Sequence, residues 1–174
     1  MDVKFVVPEL KYLDEIVCEA LAIPFFAEER PLKGALGLVD WRLCGLISHN
    51  MIRKHIQGSF KESILLSGRP RLSMEKVFLF GLGREADFNP KVLEEICGHI
   101  LHTLTRAGVR TSAMVLPGRG TDRVEPGRAM DVFLRVAASH EEHDVVIVVE
   151  PDSAQQQMAP VVERERRKAR ARSM

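Results

Sequence analysis

The sequence predicts an α/β fold, a three-layer α/β/α arrangement around a mixed, mostly parallel sheet of about six strands. Three observations carry that expectation. Short apolar runs alternate with amphipathic helical stretches along the chain. Two of the runs, Val77-Phe-Leu-Phe and Val145–Val149, are apolar without alternation, as strands covered on both faces are. The stretches from Gly83 to Thr111 and from Gly118 to Val145 each have the length of a helical crossover between parallel strands.

The elements follow in order. Residues 3–7 read as a short strand, and Pro8 suits the first turn of a short helix with Leu10, Leu13 and Ile16 inward. Residues 20–27 read as a second strand, in which Pro24 interrupts the ladder and argues for an edge position or a bulge. Asp40 is the expected N-cap of a helix running to about Ile56, with Leu43, Ile47 and Met51 at helical spacing, closed by Gly58. Residues 63–67 and 76–80 are expected strands. Asn89-Pro90 opens the clearest helix, with Asn as cap, Pro at the first helical position and Phe88 stapled to Leu93. Its apolar stripe is Leu93, Ile96, Cys97, Ile100, Leu101 and Leu104. Gly98 interrupts it, which points to close packing on a sheet. Residues 111–116 are a strand, 128–139 a helix and 145–149 the last strand. Asp152 or Ser153 caps a terminal helix.

At 174 residues the chain is long enough to bury its own core, and 45% hydrophobic against 28% charged residues is ordinary for a globular protein. No apolar run reaches the ~20 residues of a membrane helix, and the first residues lack a signal-peptide pattern. A cytoplasmic protein without membrane contact is therefore expected. Cys18, Cys44 and Cys97 are odd in number and lie in apolar contexts, as buried reduced thiols do. Charge is uneven. From residue 163 onward six basic side chains face two acidic ones, a balance of +4, which leaves −3 on the rest of a chain whose total is +1. The expected organisation is one α/β domain over 1–162 and a basic helical tail over 163–174. Only that tail offers a nucleic-acid contact.

Two loops could hold an anion. Gly81, Gly83 and Arg84 follow a strand and precede a helix, where small residues let backbone approach a phosphate. Gly118, Arg119, Gly120 and Arg123 follow another strand end, with arginines as counter-charge. Ligands of open sheets gather at the carboxyl ends of strands, where both loops should lie. Each loop is also readable as a tight turn. His99 with His102 lie off the apolar stripe as solvated side chains, and His140-Glu-Glu-His143 does not match the zinc pattern, whose histidines are four apart. No Gly-x-Ser-x-Gly elbow and no P-loop occurs. Neither a metal nor a cofactor is expected.

The order of motifs also resembles a known family. Arg-Pro-Leu-Lys-Gly begins at Arg30, Asp40 and Gly45 follow, then Gly58-Ser-Phe-Lys, then Val77 through Gly83. A long helix comes next, and Ala113-Met-Val-Leu-Pro-Gly118 closes the series. Over residues 3–150 this resembles the N-terminal domain of the leucyl aminopeptidase (cytosol aminopeptidase) family. The resemblance implies a mixed sheet between helices, similar to the macro domain that binds ADP-ribose elsewhere. It also implies that the family's chemistry lies elsewhere. The two-metal site uses Lys, Asp and Glu of a later domain, around an Asn-Thr-Asp-(Ala/Gly)-Glu-Gly-Arg-Leu motif absent from this sequence. No catalytic or metal residue carries over. The expected function is that of a non-catalytic module acting through a protein partner or self-association. The alternative is a small-ligand module for a nucleotide or ADP-ribose-like phosphate.

Overall fold

The computed structural model describes residues 1–172; the last two residues of the expected basic tail, 173 and 174, lie outside the described residues. Six strands, β1 (Asp2–Val6), β2 (Ala20–Phe25), β3 (Ser63–Ser67), β4 (Lys76–Gly81), β5 (Thr111–Met114) and β6 (Val145–Val149), form one sheet in the order β1-β6-β5-β2-β4-β3. All neighbours pair in parallel except β3, which joins β4 antiparallel at the edge. Three helices cover one face: α1 (Leu10–Glu15), α2 (Gly34–Arg42) and α3 (Leu46–Ile52). Three others, α4 (Pro90–Arg106), α5 (Pro126–Ala137) and α6 (Asp152–Arg172), cover the opposite face. The expected three-layer, mostly parallel fold is what the chain adopts.

Each layer follows from alternation along the strands. On β4, Val77 and Leu79 pack under α1–α3, while Phe78 and Phe80 pack under α4–α6. Because both faces are covered, every residue from Ala20 to Phe25 is buried, and the strand reads as a continuous apolar run. α4 begins as expected: the Asn89 side chain accepts from the main-chain N–H of Lys91 at 3.0 Å and of Val92 at 3.1 Å.

Several expectations are corrected. Pro24 lies neither at an edge nor in a bulge but in β2, between β5 and β4. Its missing N–H costs nothing there. Ala22 O accepts from Val115 N, so by alternation the Pro24 nitrogen also faces β5, and pairing with β5 ends at Ala22–Met114. Asp40 does not start a helix reaching Ile56. It sits buried near the end of α2, and the chain turns at Cys44 and Gly45, both at positive φ. Asp40 is nonetheless a cap, for the next helix: its carboxylate accepts from Ile47 N at 2.8 Å, Ser48 N at 3.1 Å and the Ser48 hydroxyl. Cys44 in that turn is exposed, with Arg71 Nη1 donating to its Sγ at 2.7 Å, so it is not a buried thiol. Gly98 faces α5 rather than the sheet; an added Cβ would lie 3.8 Å from Val136 Cγ1, an ordinary contact.

α6 continues through the basic stretch. Arg164 reaches Asp131 at 2.5 Å, Arg166 reaches Asp2 at 2.7 Å and the Val3 carbonyl at 3.1 Å, and Lys168 reaches Glu165 at 2.6 Å. Arg166 also pairs with Glu163 at 2.9 Å. These exposed pairs each contribute about 0–1 kcal/mol.

Candidate functional site at the carboxyl edge of the sheet

All five parallel strands end at one edge, which places the Gly81–Arg84 and Gly118–Arg123 segments on the same side of the molecule. Within that edge one position is special. β5 leads through α5 over one face to β6, whereas β2 leads through α2 and α3 over the other face. The ladder between β2 and β5 therefore lies where the connections diverge, the place at which open sheets form a crevice. The Gly118 loop borders that crevice. An added Cβ on Gly120 would lie 3.9 Å from Glu29 Oε1 across it. Gly81 faces Glu62 beside β3, whereas the Gly83 carbonyl accepts from Ala27 N at 3.0 Å, in the segment that follows β2.

The Gly81–Gly83 backbone is fully engaged. Gly81 N donates to Glu62 O at 2.8 Å, Leu82 N to Phe25 O at 2.9 Å and Gly83 N to Gly58 O at 2.8 Å. No amide of these three residues is left to receive a phosphate. Arg84 is exposed and forms a bidentate pair with Asp87 at 2.8 and 3.0 Å.

Arg119 is committed in another way. Its side chain is 5% exposed, and that of Glu150, the first residue after β6, is 3% exposed. Nε and Nη2 of Arg119 donate to the two Glu150 oxygens at 3.0 and 3.1 Å, and Nη1 donates to Val124 O at 2.7 Å. Burial holds the Glu150 carboxyl above the usual range, and the Arg119 bonds offset only part of that rise. Gly118 holds φ +77 beneath Val124 and Phe88, with space for no side chain. Arg123 N donates to Gly118 O at 2.8 Å and closes the turn. Glu29 accepts from Phe26 N at 3.2 Å, and burial lifts its carboxyl above the usual range. One carboxyl group, Glu29, therefore faces Gly120 across the crevice.

Arg123 is the remaining predicted residue, and its surroundings were not legible beforehand. With Arg128 it borders a cleft of about 250 Å³ whose other walls are Phe88, Asn89, Pro90, Leu93, Val124 and the acidic Glu125. Neither arginine has a partner among the described residues. Sequence reasoning missed Glu29, Arg128 and Glu150. A signal for the last existed: one charged residue follows each of two buried runs, Arg119 after β5 and Glu150 after β6, and β5 and β6 are neighbours.

The histidines group differently from expectation. His143 is fully buried at the opposite edge of the sheet. The Val109 carbonyl can only accept, so Nδ1 of His143 donates to it at 3.1 Å and Nε2 accepts from the Ser112 hydroxyl at 2.9 Å. This Ser–His contact is closed to solvent and cannot meet a substrate. Burial holds the His143 pKa below its ordinary value, while the bond to Val109 opposes that. The unfolded chain therefore takes up the proton first, and stability present above about pH 6.5 is lost as pH falls below it. Chemical denaturation from pH 7.5 to 5 should show a steeper decline for the wild type than for His143→Gln; equal slopes would refute this role. His99 is half-buried rather than solvated, with Nε2 2.7 Å from the Ser63 hydroxyl and its ring edge-on to Phe80. Among the described residues no group of three His, Cys, Asp or Glu side chains has a metal-binding arrangement.

Comparison with known proteins agrees with the fold. Of solved structures, a Trypanosoma brucei macrodomain in complex with ADP-ribose aligns with TM-score 0.68 and 15% identity, over 92% of this chain and 68% of that one. An Oceanobacillus iheyensis macrodomain mutant aligns with TM-score 0.67 and 12% identity, over 95% and 92%. A tomato leucine aminopeptidase mutant aligns with TM-score 0.61 and 13% identity, over 92% of this chain and 35% of that one. At these identities the likeness is one of fold. Sequence relatives are more specific. A "Probable cytosol aminopeptidase" of Halorhodospira halophila is 32% identical over 114 residues, 66% of this chain and 22% of that protein. One from Thermosynechococcus vestitus is 29% identical over 64% and 23%. The chain thus spans about a fifth of the length of the curated relatives it matches. The model of the cytosol aminopeptidase family's N-terminal domain matches residues 22–133. By that match, which runs from β2 into α5, the chain belongs to the cytosol aminopeptidase family through the family's N-terminal domain.

Proposed function

We propose that this chain is a non-catalytic module that acts through a protein partner or self-association, in the cytoplasm. The observation that carries this reading is the state of the carboxyl edge. Where a parallel sheet would receive a substrate, the Gly81–Gly83 amides are bonded within the chain and Arg119 is neutralised by Glu150. Large apolar side chains stand in solvent instead, among them Trp41 at 64% and Leu65 at 56% exposure. No described helix is long and apolar enough to cross a membrane, and the relatives are named cytosol aminopeptidases.

A second reading is supported by the cleft beside Gly118. Two arginines without side-chain partners among the described residues, beside the apolar Phe88, Leu93 and Val124 and outnumbering the one carboxylate, Glu125, suit an anion attached to a ring, and one fold neighbour is described in complex with ADP-ribose. One experiment separates the two. The purified protein is assayed with a leucyl chromogenic substrate plus Mn²⁺ or Zn²⁺, and its melting temperature is measured with millimolar ADP-ribose. The proposed function expects no turnover and no shift. A shift abolished by Arg123→Ala or Arg128→Ala would favour the ligand module, because a ligand specific to the folded state stabilises it by mass action. Turnover that tracks the protein through purification would overturn the non-catalytic reading.

A further inference from the structure

We propose that two copies of this chain pair through β3, antiparallel and two-fold symmetric about Leu65, joining the two sheets into one. The inference rests on the self-association reading and names its surface. It begins with an edge. Among the described residues β3 has β4 on one side and no strand on the other. Gly81 N donates to Glu62 O and Gly68 N to Glu75 O, so the even-numbered backbone groups of this strand face β4. By alternation the N–H and C=O groups of Ser63, Leu65 and Ser67 point outward, where no main-chain bond uses them. Edge strands are commonly blunted by a charge, a proline or a bulge, and Ser-Ile-Leu-Leu-Ser has none of these.

The sequence of the strand selects the occupant. Read in either direction it is Ser, branched aliphatic, Leu, branched aliphatic, Ser. A two-fold axis at Leu65 therefore sets like against like, as an isologous interface requires. In that register Leu65 exchanges both main-chain bonds with its symmetry mate, and Ser63 exchanges both with Ser67. Every outward donor and acceptor of the strand is then satisfied. Sliding the strands by two residues loses one such exchange. The side chains agree with this register. Leu65, 56% exposed, meets its copy on the α4 face. Ile64 and Leu66, half-buried under the α3 face, meet each other at the closer, non-hydrogen-bonded positions. One kind of like-charge approach results, Lys61 to Arg69 of the other copy, twice by symmetry, and in each copy Glu95 lies 3.2 Å from Lys61 to offset it. A five-residue strand alone buries less than a permanent dimer needs, so a weak, concentration-dependent dimer is expected.

Sedimentation velocity from 1 to about 500 µM tests this. The wild type is expected to shift from monomer to dimer across that range. Leu65→Lys and Leu65→Glu each place like charges at the axis and should weaken association about tenfold or more, with unchanged melting temperature because the side chain is exposed. Mixed together, the two variants should recover a one-to-one dimer, an outcome that follows only if position 65 faces itself. Wild-type-like dimers of both variants would overturn the β3 interface while leaving self-association through another surface. A wild type that stays monomeric at the highest concentration would remove self-association altogether, leaving a protein partner as the functional reading.

Discussion

Replacement of Arg119 by alanine is expected to destabilise the fold by about 3–5 kcal/mol, because it leaves the Glu150 carboxylate buried and unpaired. The geometry behind that figure is a bidentate pair between side chains that are 5% and 3% exposed, with Val124 O as a third acceptor. Asp122 adds little, since its side chain is 86% exposed. Removing both charges should behave differently. Arg119→Met with Glu150→Leu replaces the pair by apolar groups of similar volume, and such exchanges are often neutral or stabilising. Urea denaturation of the single and double variants measures the difference. A loss below about 1 kcal/mol for Arg119→Ala would mean that water reaches Glu150 and that the pair is not sealed. The prediction also governs how ligand binding should be probed. An Arg119 variant that fails to respond to ADP-ribose would report a damaged fold, whereas Arg123 and Arg128 can be changed without that ambiguity because both are exposed.

How far the sequence discloses this molecule depends on the range of the interactions involved. α4 is legible almost to the residue, because its cap, its proline and its apolar stripe are all local signals. The layer assignment is legible too, since continuous apolar runs require cover on both faces. Pro24 and Asp40 depart from their local reading for one common reason. Pro24 is tolerated because a neighbouring ladder ends beside it, and Asp40 caps a helix that starts six residues later across a left-handed turn. Both facts belong to tertiary structure, which local propensity does not encode. The same limit applies at the carboxyl edge. Arg119 reads as a free counter-charge until β5 and β6 are known to be neighbours, after which Glu150 becomes its partner. Cys44, expected as a buried thiol, lies in a solvent-facing turn, and His99, expected in solvent, is half-buried against Ser63 and Phe80.

The second large effect expected is at Gly81, where alanine should cost about 3 kcal/mol or more through overpacking. An added Cβ would lie 2.0 Å from Ser59 O and 2.7 Å from Gly58 C, closer than any real contact. The obstacle is main chain, so no side chain can rotate aside. Nor can the 58–62 segment simply retreat, because it is tied to β4 by Lys61 N to Gly81 O at 3.0 Å, Gly81 N to Glu62 O at 2.8 Å and Gly83 N to Gly58 O at 2.8 Å. Separating the two would break those bonds and expose the strand end. Gly120 supplies the contrast. It too was a candidate for cradling phosphate, yet its nearest neighbour to an added Cβ is Glu29 Oε1 at 3.9 Å. Gly120→Ala should leave the free energy of unfolding within about 0.5 kcal/mol of wild type. Thermal and urea denaturation of the two variants therefore separate a glycine required by packing from one that packing leaves free. If Gly81→Ala proved as stable as wild type, the 58–62 segment would have to move off β4 at low cost. The Gly81–Gly83 amides would then become available, and a phosphate-binding edge would regain the donors that this structure assigns to the chain itself.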